Sequence, residues 1–436
     1  MKPINVGLLG IGTVGGGTWE VLNRNADEIQ RRAGRAIRIT VVADQALDRA
    51  KKIVKGKAKI VDDAFKVVRG KDVEIVVELI GGTTIAKDLV LEAIRHGKHV
   101  VTANKALLAT HGNEIFAAAQ RKGVMVAFEA SVGGGIPIIK ALREGLAANR
   151  IEWIAGIING TSNFILSEMR DKGLAFSAAL KDAQKRGYAE ADPSFDIEGV
   201  DAAHKLTILS ALAFGIPMQL KKCFREGIQK LTHADIGYAE ELGYRIKLLG
   251  ITRRAQKGIE LRVHPTLVPA RRLIANVEGV MNAILVKGDA VGPTRYYGAG
   301  AGSQPTASAV VADLVDVTRL ITADPGQRVP HLAFQPDQLS DVPVLPIGAV
   351  ETSCYLRMRV LDKPGVLADI TRILADSRIS IEAMVQKEPG EGQRQVDIVL
   401  LTDRAVEKNV NQAIAKIEKL PTVVGAVTRI RLEALL

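Results

Sequence analysis

Residues 4–22 read INVGLLGIGTVGGGTWEVL and determine the fold of the first part of the chain. The apolar run Ile4–Leu9 is typical of a buried strand, Gly10-Ile11-Gly12-Thr13-Val14-Gly15 follows at once, and a helical pattern begins at Thr18. Glycines between a strand and a helix let the backbone approach a pyrophosphate at the positive end of the helix. A tight turn without a ligand would explain the glycines alone, but their context favours a dinucleotide site.

A second strand is predicted at Arg38–Ala43, and Asp44 follows it. An acid at this point usually holds the ribose hydroxyls and favours NAD, at an offset of roughly 20 residues from the glycines. Here the offset is longer, because a polar and basic segment, Asn23–Arg35, extends the first helix. Three basic side chains after the strand could meet a 2′-phosphate instead, or form an exposed basic helix: Arg49, Lys51 and Lys52. The choice between NAD and NADP stays open.

Further strand–helix units follow and predict a doubly wound parallel sheet. The predicted strands are Val73–Leu79, Lys98–Thr102 and Val124–Glu129, and the helices are Ile85–His96 and Ala106–Lys122. Ligands of such sheets lie beyond the carboxyl ends of the strands. This places Lys105 at the expected cofactor crevice, although a solvated loop lysine is the default interpretation.

The segment Glu129–Pro137, EASVGGGIP, leads out of the first domain. Its turned backbone could present several carbonyls to a hard cation, although such a stretch is more often a linker. In the second domain, strands are predicted at Ile151–Ile158, Leu261–Val268 and Met281–Lys287. A second glycine-rich loop over 296–306 precedes a helix at Thr306–Ile321, whose return to the first domain would bring Gly302 to the cofactor.

Residues 186–205, RGYAEADPSFDIEGVDAAHK, carry two carboxylates and an amine where a small polar substrate could meet them. Asp201 and Lys205 are four apart in a predicted helix, Ile197–Phe214, and therefore share one face. Glu190 lies upstream in a loop closed by Asp192-Pro193. On spacing alone, an exposed ion pair is the commoner interpretation of Asp201 and Lys205.

Five of the sixteen prolines fall in residues 325–352, which we interpret as a linker or an extended wrap. The pattern then restarts with the order βαββαβ, typical of a ferredoxin-like module. The domains expected are 1–130 for the dinucleotide, completed by the helix over 305–322; 131–324 for catalysis and dimerisation; and 353–432 for this α+β tail.

Bulk properties narrow the class of protein. The 436 residues are 47% apolar and 25% charged, which is typical of a globular protein of two or three domains. Cys223 and Cys354 suggest no disulfide framework, no apolar run approaches a membrane span, and we expect a cytoplasmic protein. The net charge of +11 is spread along the chain and only 4% of residues are aromatic, which disfavours a nucleic-acid partner.

Several motifs, in order, resemble those of the homoserine dehydrogenase family in its bacterial form with a C-terminal ACT domain. They are GIGTVGGG, GGTT, VVTANKALLA, EASVGGGIPII, GIINGTSNFIL, GYAEADPSFDIEGVDAAHK and YYGAGAGSQPTASAVV, between Gly10 and Val311. DKPGVLADI with ISIEAM resembles the ACT module, which generally binds amino acids across a dimer.

The resemblance implies NAD(P)-dependent interconversion of L-aspartate 4-semialdehyde and L-homoserine, at the branch towards threonine, isoleucine and methionine. It implies a homo-oligomer, a dimer or tetramer, and feedback control by threonine through the tail. The tail could instead serve oligomerisation alone, since a ferredoxin-like fold does not specify a ligand.

Residue roles are also carried over from the resemblance. Lys205 matches the family's proton donor, Glu190 and Asp201 match substrate-binding acids, and Lys105 matches the lysine between cofactor and substrate. The backbone of four residues matches a monovalent cation site, usually for sodium: Glu129, Val132, Gly134 and Ile136. Cofactor contacts match at Ile11, Gly12, Thr13, Val14, Thr102, Gly187 and Gly302. Many relatives carry an arginine for the 2′-phosphate where this chain has Val42-Ala43-Asp44-Gln45, so an NADP preference does not follow.

The chemistry is consistent with these roles. Reduction of an aldehyde needs a bound nicotinamide and a proton for the oxygen, which a lysine ammonium can donate. We hypothesise that Lys105 and Lys205 face the same oxygen, so that each ammonium makes the other easier to deprotonate. Asp201 would orient Lys205 or hold substrate, and Glu190 would take the substrate ammonium. The alternatives are a non-catalytic regulator that senses dinucleotide and amino acid, and another oxidoreductase, such as an amino-acid or semialdehyde dehydrogenase. A phosphorylating semialdehyde dehydrogenase would need a nucleophilic cysteine.

Overall fold

A computed structural model describes residues 2–389 and 394–435. Within them the strands β1 to β17 are, in order, Ile4–Leu9, Ile37–Ala43, Lys59–Val61, Ile75–Glu78, His99–Thr102, Val126–Ala127, Ile151–Ile157, Phe224–Arg225, Tyr244–Ala255, Gly258–Pro269, Met281–Gly288, Gly292–Ala299, Glu351–Leu361, Ile381–Gln386, Gln395–Thr402, Ala405–Val406 and Val423–Leu432. The helices α1 to α15 are Thr13–Arg24, Ala26–Ala33, Leu47–Val54, Ala64–Val68, Thr84–Arg95, Lys105–Lys122, Ile138–Lys140, Gly160–Asp171, Phe176–Lys185, Ser194–Ile197, Val200–Phe214, His233–Glu241, Ser303–Leu320, Val366–Asp376 and Glu407–Ile417. None of these helices is long and apolar enough to cross a membrane.

The chain divides into two compact units. The first unit comprises residues 1–154, 201–221 and 281–342, and the second comprises 155–200, 222–280 and 343–436. Because each unit is built from three separate segments of the chain, neither unit corresponds to a single continuous run of sequence.

The first unit is built on a six-stranded sheet with the order β3-β2-β1-β4-β5-β6. All its neighbouring strands run parallel. The predicted doubly wound parallel sheet is therefore confirmed. The carboxyl ends of β1, β2, β4 and β5 meet at one edge, where ligands of this fold bind.

The helix α13 packs into the core of this sheet, as predicted for the returning helix. Its residues Ala307, Val310 and Leu314 are fully buried in the same apolar cluster as Val6 and Leu8 of β1. The helix starts at Ser303, earlier than predicted, and Ser303 Oγ donates to Thr13 O at 2.9 Å.

The second unit contains a mixed sheet with strand order β9-β10-β17-β13-β15-β14. The strand β10 is antiparallel to β9 and parallel to both β8 and β17. The tail forms β13-α14-β14-β15-α15-β17, with the short β16 before α15, and confirms the predicted βαββαβ order. Its apolar core includes Leu356, Ile370, Leu400 and Val410, all fully buried.

The proline-rich segment 325–352 is an extended wrap with single turns at Pro325–Gln327, Pro336–Gln338 and Ile347–Ala349. Within the first unit, Ser340 N donates to Gly215 O at 2.7 Å. Within the second unit, Ile259 N donates to Pro343 O at 2.9 Å. The segment therefore adds backbone hydrogen bonds to both units. Of the two interpretations of 325–352, a linker or an extended wrap, it matches the extended wrap.

Some predicted elements were wrong in extent. The predicted helix Ile197–Phe214 is divided into α10 and α11, because Gly199 between them has φ +77°. The strand predicted at Val124–Glu129 pairs only over β6 and continues as a 3₁₀ turn at Glu129–Ser131. The loop predicted from residue 296 begins later, since β12 extends to Ala299 by pairing with β11.

Candidate active site

Asp201 joins two of the predicted site lysines in the first unit. Its Oδ1 lies 3.2 Å from Lys105 Nζ, and its Oδ2 accepts from Lys205 Nζ at 2.7 Å. The Asp201 side chain is 5% exposed and that of Lys205 10%, whereas Lys105 is 35% exposed. The predicted pairing on one helix face is thus a buried ion pair rather than a solvated one, and it includes a third residue far away in sequence.

Lys105 owes its position to the start of α6, immediately after β5. Asn104 caps this helix, since its side chain accepts from Leu107 N at 3.0 Å. Asn104 Nδ2 also donates to Gly82 O at 2.7 Å, which ties the Gly81-Gly82 turn to the start of α6. Lys105 therefore extends from a capped helix end at the carboxyl edge of the parallel sheet.

Glu78 organises the same edge, and sequence analysis missed it. Its Oε2 accepts from Thr102 Oγ1 at 2.6 Å, and its Oε1 accepts from the N–H groups of Ile80 and Gly81 at 3.0 and 3.3 Å. Burial raises the pKa of Glu78, an effect that these hydrogen bonds only partly offset. Its position as the last residue of an apolar strand was the available signal, because a fully buried acid there needs several donors.

The glycine loop combines close packing with open space. A side chain on Gly15 would meet Gly10 O at 2.1 Å, and Gly10 itself has φ +89°, so both positions require glycine for the fold itself. Gly12 is different, because its φ is −67° and nothing lies within 4 Å of where its Cβ would be. That open space at the N-terminus of α1 fits the approach of a dinucleotide pyrophosphate.

Asp44 binds back to the glycine loop. Its Oδ2 accepts from Ile11 N and its Oδ1 from Ala46 N, both at 2.7 Å, and Arg49 lies 3.2 Å from both oxygens. Burial alone would raise the pKa of Asp44, but these hydrogen bonds and the charge of Arg49 outweigh burial and lower it. Asp44 thus fixes the loop, and Arg49 stands beside the place expected for the adenosine ribose.

The Glu129–Ile136 segment is a tightly held turn. The Glu129 carboxylate accepts from the N–H groups of Ile139 and Lys140 at 2.9 and 2.8 Å, and Glu129 N donates to Asp313 Oδ2 at 2.8 Å. Burial raises the pKa of Glu129 and raises that of Asp313 well above its ordinary value. The Glu129 carboxylate therefore serves the fold, and its backbone carbonyl accepts from Val132 N at 3.4 Å.

The backbone of this turn bends sharply at two glycines. Gly133 and Gly134 have φ +77° and +55°. A Cβ on Gly134 would lie 2.6 Å from the Gly300 carbonyl carbon, so this turn packs directly on the loop that leads to Gly302. Among the described residues there is no cluster of three His, Cys, Asp or Glu side chains suited to a metal, so a cation here would rely on main-chain oxygens.

Glu190 and Gly187 belong to the second unit, between α9 and α10. Glu190 is exposed, and its carbonyl accepts from Gln184 Nε2 at 3.1 Å. Gly187 has φ +73°, and Asp192 accepts from the N–H and hydroxyl of Ser194 at 3.1 and 2.6 Å. The loop that carries the predicted substrate acid is therefore pinned at both ends.

Three family models match the chain, each over a different segment. The model described as homoserine dehydrogenase, NAD binding domain, matches residues 10–129; homoserine dehydrogenase matches 137–315; and the ACT domain matches 355–419. These matches fall in the same order as the sheet, the Asp201 site and the ferredoxin-like tail of the structure.

Similar proteins cover the whole chain. A homoserine dehydrogenase of Pseudomonas aeruginosa is 61% identical over 435 residues, with 100% of both chains covered. The solved structure of a homoserine dehydrogenase from Thiobacillus denitrificans is 71% identical, has a TM-score of 0.96, and covers 100% of this chain and 99% of its own. A hyperthermophilic archaeal homoserine dehydrogenase solved with NADPH is 25% identical, has a TM-score of 0.63, and covers 73% of this chain and 98% of its own.

A parallel dinucleotide-binding sheet, a buried lysine–carboxylate site at its carboxyl edge and an ACT tail define an oxidoreductase that uses a nicotinamide nucleotide. The chain belongs to the homoserine dehydrogenase family.

Proposed function

We propose that the chain catalyses the reversible NAD(P)-dependent reduction of L-aspartate 4-semialdehyde to L-homoserine, in the biosynthesis of threonine, methionine and isoleucine. The observation that carries this proposal is the Asp201 carboxylate paired with both Lys105 and Lys205. Two ammonium groups gathered on one buried carboxylate can polarise a carbonyl oxygen and give it a proton.

The nicotinamide, when bound, supplies or accepts the hydride at C4 of the substrate. In the direction of reduction, Lys205 Nζ donates a proton to the aldehyde oxygen, so that the carbonyl becomes the hydroxyl of homoserine and the lysine becomes neutral. In the reverse direction the neutral amine takes the hydroxyl proton. Asp201 keeps both lysines in place through its two oxygens, and Lys105 stabilises negative charge on the reacting oxygen.

The substrate's own charges determine the remaining assignments. Its α-ammonium requires a carboxylate, for which Glu190 is the candidate, and Asp201 is the second substrate-binding acid. The exposure of Glu190 supports this role, because an exposed carboxylate can reach a substrate. The carboxylate of Glu129, in contrast, accepts two backbone hydrogen bonds inside the fold.

For the cofactor we propose contacts from the glycine loop together with Thr102, Lys105, Gly187 and Gly302. The open space at Gly12 supports the loop assignment. NAD and NADP remain alternatives, since Asp44 favours the ribose hydroxyls while Arg49, held beside it, could turn to a 2′-phosphate.

We further propose a monovalent cation, Na⁺, held by the carbonyls of Glu129, Val132, Gly134 and Ile136. The two positive-φ glycines at 133 and 134 support it, because they turn successive peptides within a short segment. The cation would brace the contact between this turn and the loop leading to Gly302.

The tail, 353–432, is proposed to bind L-threonine and to inhibit the enzyme, which would assemble as a dimer or tetramer. The other proposed domains are 1–130 with the helix over 305–322, and 131–324, joined to the tail by 325–352. The alternative with a nucleophilic cysteine is disfavoured, because burial raises the pKa of Cys223 to about 12 and also raises that of Cys354.

The test uses the purified full chain with L-homoserine and either NAD⁺ or NADP⁺, followed at the absorbance of the reduced nicotinamide. Turnover with either nucleotide is expected, and the ratio of the two rates reports whether Asp44 or Arg49 governs the choice. A folded protein that binds the nucleotide yet turns over neither pair would overturn the proposal and favour a dinucleotide-sensing regulator. Addition of L-threonine to the same assay tests the effector.

A further inference from the structure

The last strand of the ACT module is also a strand of the mixed sheet in the second unit. β17 runs parallel to β10, with Thr266 opposite Arg431 and Leu267 opposite Leu432, and Glu433 N donates to Leu267 O at 3.0 Å. A module attached by strand pairing moves together with its neighbour, because shifting it breaks ladder hydrogen bonds. The ACT module is therefore attached to the second unit by strand pairing as well as by the chain itself.

Arg431, at this junction, is fully buried and makes ion pairs on two sides. Its Nε donates to Glu407 Oε2 at 2.8 Å and its Nη2 to the other oxygen of Glu407, within the ACT module. Its Nη1 donates to Glu226 Oε2 at 2.7 Å, outside that module. Arg429 Nη2 lies 3.7 Å from the same Glu226 oxygen. Glu226 thus receives two arginines from β17.

Glu226 directly follows β8, and its neighbours hold the segment that leads to α11. Glu226 N donates to Val263 O, and Ile228 N donates to Ile197 O, both at 2.9 Å. A Cβ on Gly227 would lie 2.5 Å from Ile197 O, so the two backbones are in close contact. Ile197 ends α10, only four residues before Asp201.

We propose that Glu226 is a positioning residue for the reaction: it anchors the 226–228 segment to Arg431 of the ACT module and thereby holds the α10–α11 junction, which directly precedes Asp201 and Lys205 in the chain. An effector that shifts β17 would change the catalytic pair along this route. The inference rests on the proposed function, since it assigns a means of control to the same site.

The charges around Glu226 make the test practicable. Arg431 keeps both hydrogen bonds to Glu407 when Glu226 loses its charge, so the buried guanidinium is not left unpaired. The chain also offers a matched control in Glu433, which accepts from Arg262 at 2.5 Å and Arg253 at 2.7 Å. Arg262 likewise keeps a second acid, Glu260, at 2.8 Å. Glu433 directly follows β17, and the two arginines that it pairs with lie on β9 and β10, outside the 226–228 segment.

The experiment compares full-length wild type, Glu226→Gln and Glu433→Gln by homoserine oxidation, hydrogen–deuterium exchange and thermal unfolding. For Glu226→Gln we expect a several-fold lower kcat with a smaller change in the KM for the nicotinamide nucleotide, and faster amide exchange over 194–205. For Glu433→Gln we expect unchanged kcat and unchanged amide exchange over 194–205, even if its Tm falls as far as that of Glu226→Gln or further. If L-threonine inhibits the wild type, Glu226→Gln should weaken that inhibition several-fold.

Equal kinetic and exchange effects in the two variants would reduce Glu226 to a structural role and overturn the inference, as would a Glu226→Gln enzyme with wild-type values. A wild type that oxidises no homoserine overturns the proposed function instead. In that case the exchange comparison still decides whether Glu226 holds the 194–205 segment.

Discussion

Lys105 and Lys205, a hundred residues apart, meet on opposite oxygens of one carboxylate: Asp201 Oδ1 is 3.2 Å from Lys105 and Oδ2 is 2.7 Å from Lys205. Two cations thus share one buried anion. The two ammonium groups lie at the carboxyl edge of the dinucleotide-binding sheet, where a reacting oxygen would accumulate negative charge.

Replacing Asp201 by Asn should lower both the stability and the catalytic rate of the protein, because one carboxylate serves both lysines. The change removes the negative charge that both ammonium groups share, and breaking a buried pair in this way costs roughly 3–5 kcal/mol. We expect a lower Tm together with a kcat lower by a factor on the order of 10² or more. The measurement is steady-state kinetics at a temperature where circular dichroism shows the variant folded. Wild-type kcat in folded Asp201→Asn would contradict the role of this carboxylate.

Two glycines of the nucleotide loop should separate folding from cofactor binding. Gly12→Ala meets no atom within 4 Å and keeps an ordinary φ, so its Tm should match the wild type while the Kd for the nucleotide rises at least tenfold. Gly15→Ala places a Cβ 2.1 Å from Gly10 O and should lower the Tm. Thermal unfolding and nucleotide titration of both variants check this pair. Unchanged nucleotide affinity in Gly12→Ala would argue against the pyrophosphate at this loop.

Glu78→Gln should weaken the cofactor edge without touching the lysine site. The amide cannot accept from Thr102 and two backbone N–H groups as the carboxylate does, and each unsatisfied buried group costs about 1–3 kcal/mol. We expect a lower Tm and a raised KM for the nucleotide, with the KM for homoserine little changed. A variant in which only the KM for homoserine rises would contradict the role of Glu78 in nucleotide binding.

A buried histidine should make stability depend on pH in acid. Burial, with the charge of Arg328, lowers the pKa of His99 to about 4, and its Nδ1 accepts from Met125 N at 2.9 Å. His99 takes up a proton near pH 6.5 in the unfolded chain but only near pH 4 in the folded protein. The stability contributed by neutral His99 is therefore fully present above pH 6.5. About 3 kcal/mol of it is lost as the pH falls from 6.5 towards 4. His99→Asn keeps an acceptor near Met125 N. In this variant the denaturation midpoint should change less between pH 6.5 and pH 4 than it does in the wild type. Equal slopes in both proteins would contradict this account.

The parts of the structure that could be predicted from sequence are those with strong periodicity or glycine chemistry. The parallel sheet, the returning helix and the ACT order follow from apolar runs of strand and helix length, and Lys105, Asp201 and Lys205 follow from motif resemblance and spacing. Glu78 carries a weaker signal, its place at the end of an apolar strand, because its partner Thr102 comes from a different strand, 24 residues on. The extension of β12 to Ala299 depends on pairing with β11, because a glycine-rich pattern carries little strand signal of its own.

Single-turnover hydride transfer in Lys205→Met, measured beside nucleotide binding by the same protein, tests the role of the lysine pair on Asp201. We expect a Kd for the nucleotide within a few-fold of wild type and a hydride-transfer rate lower by roughly 10²–10⁴, because the proton for the substrate oxygen is lost. A folded Lys205→Met protein that transfers hydride at the wild-type rate would contradict the assignment of proton transfer to the lysine pair on Asp201.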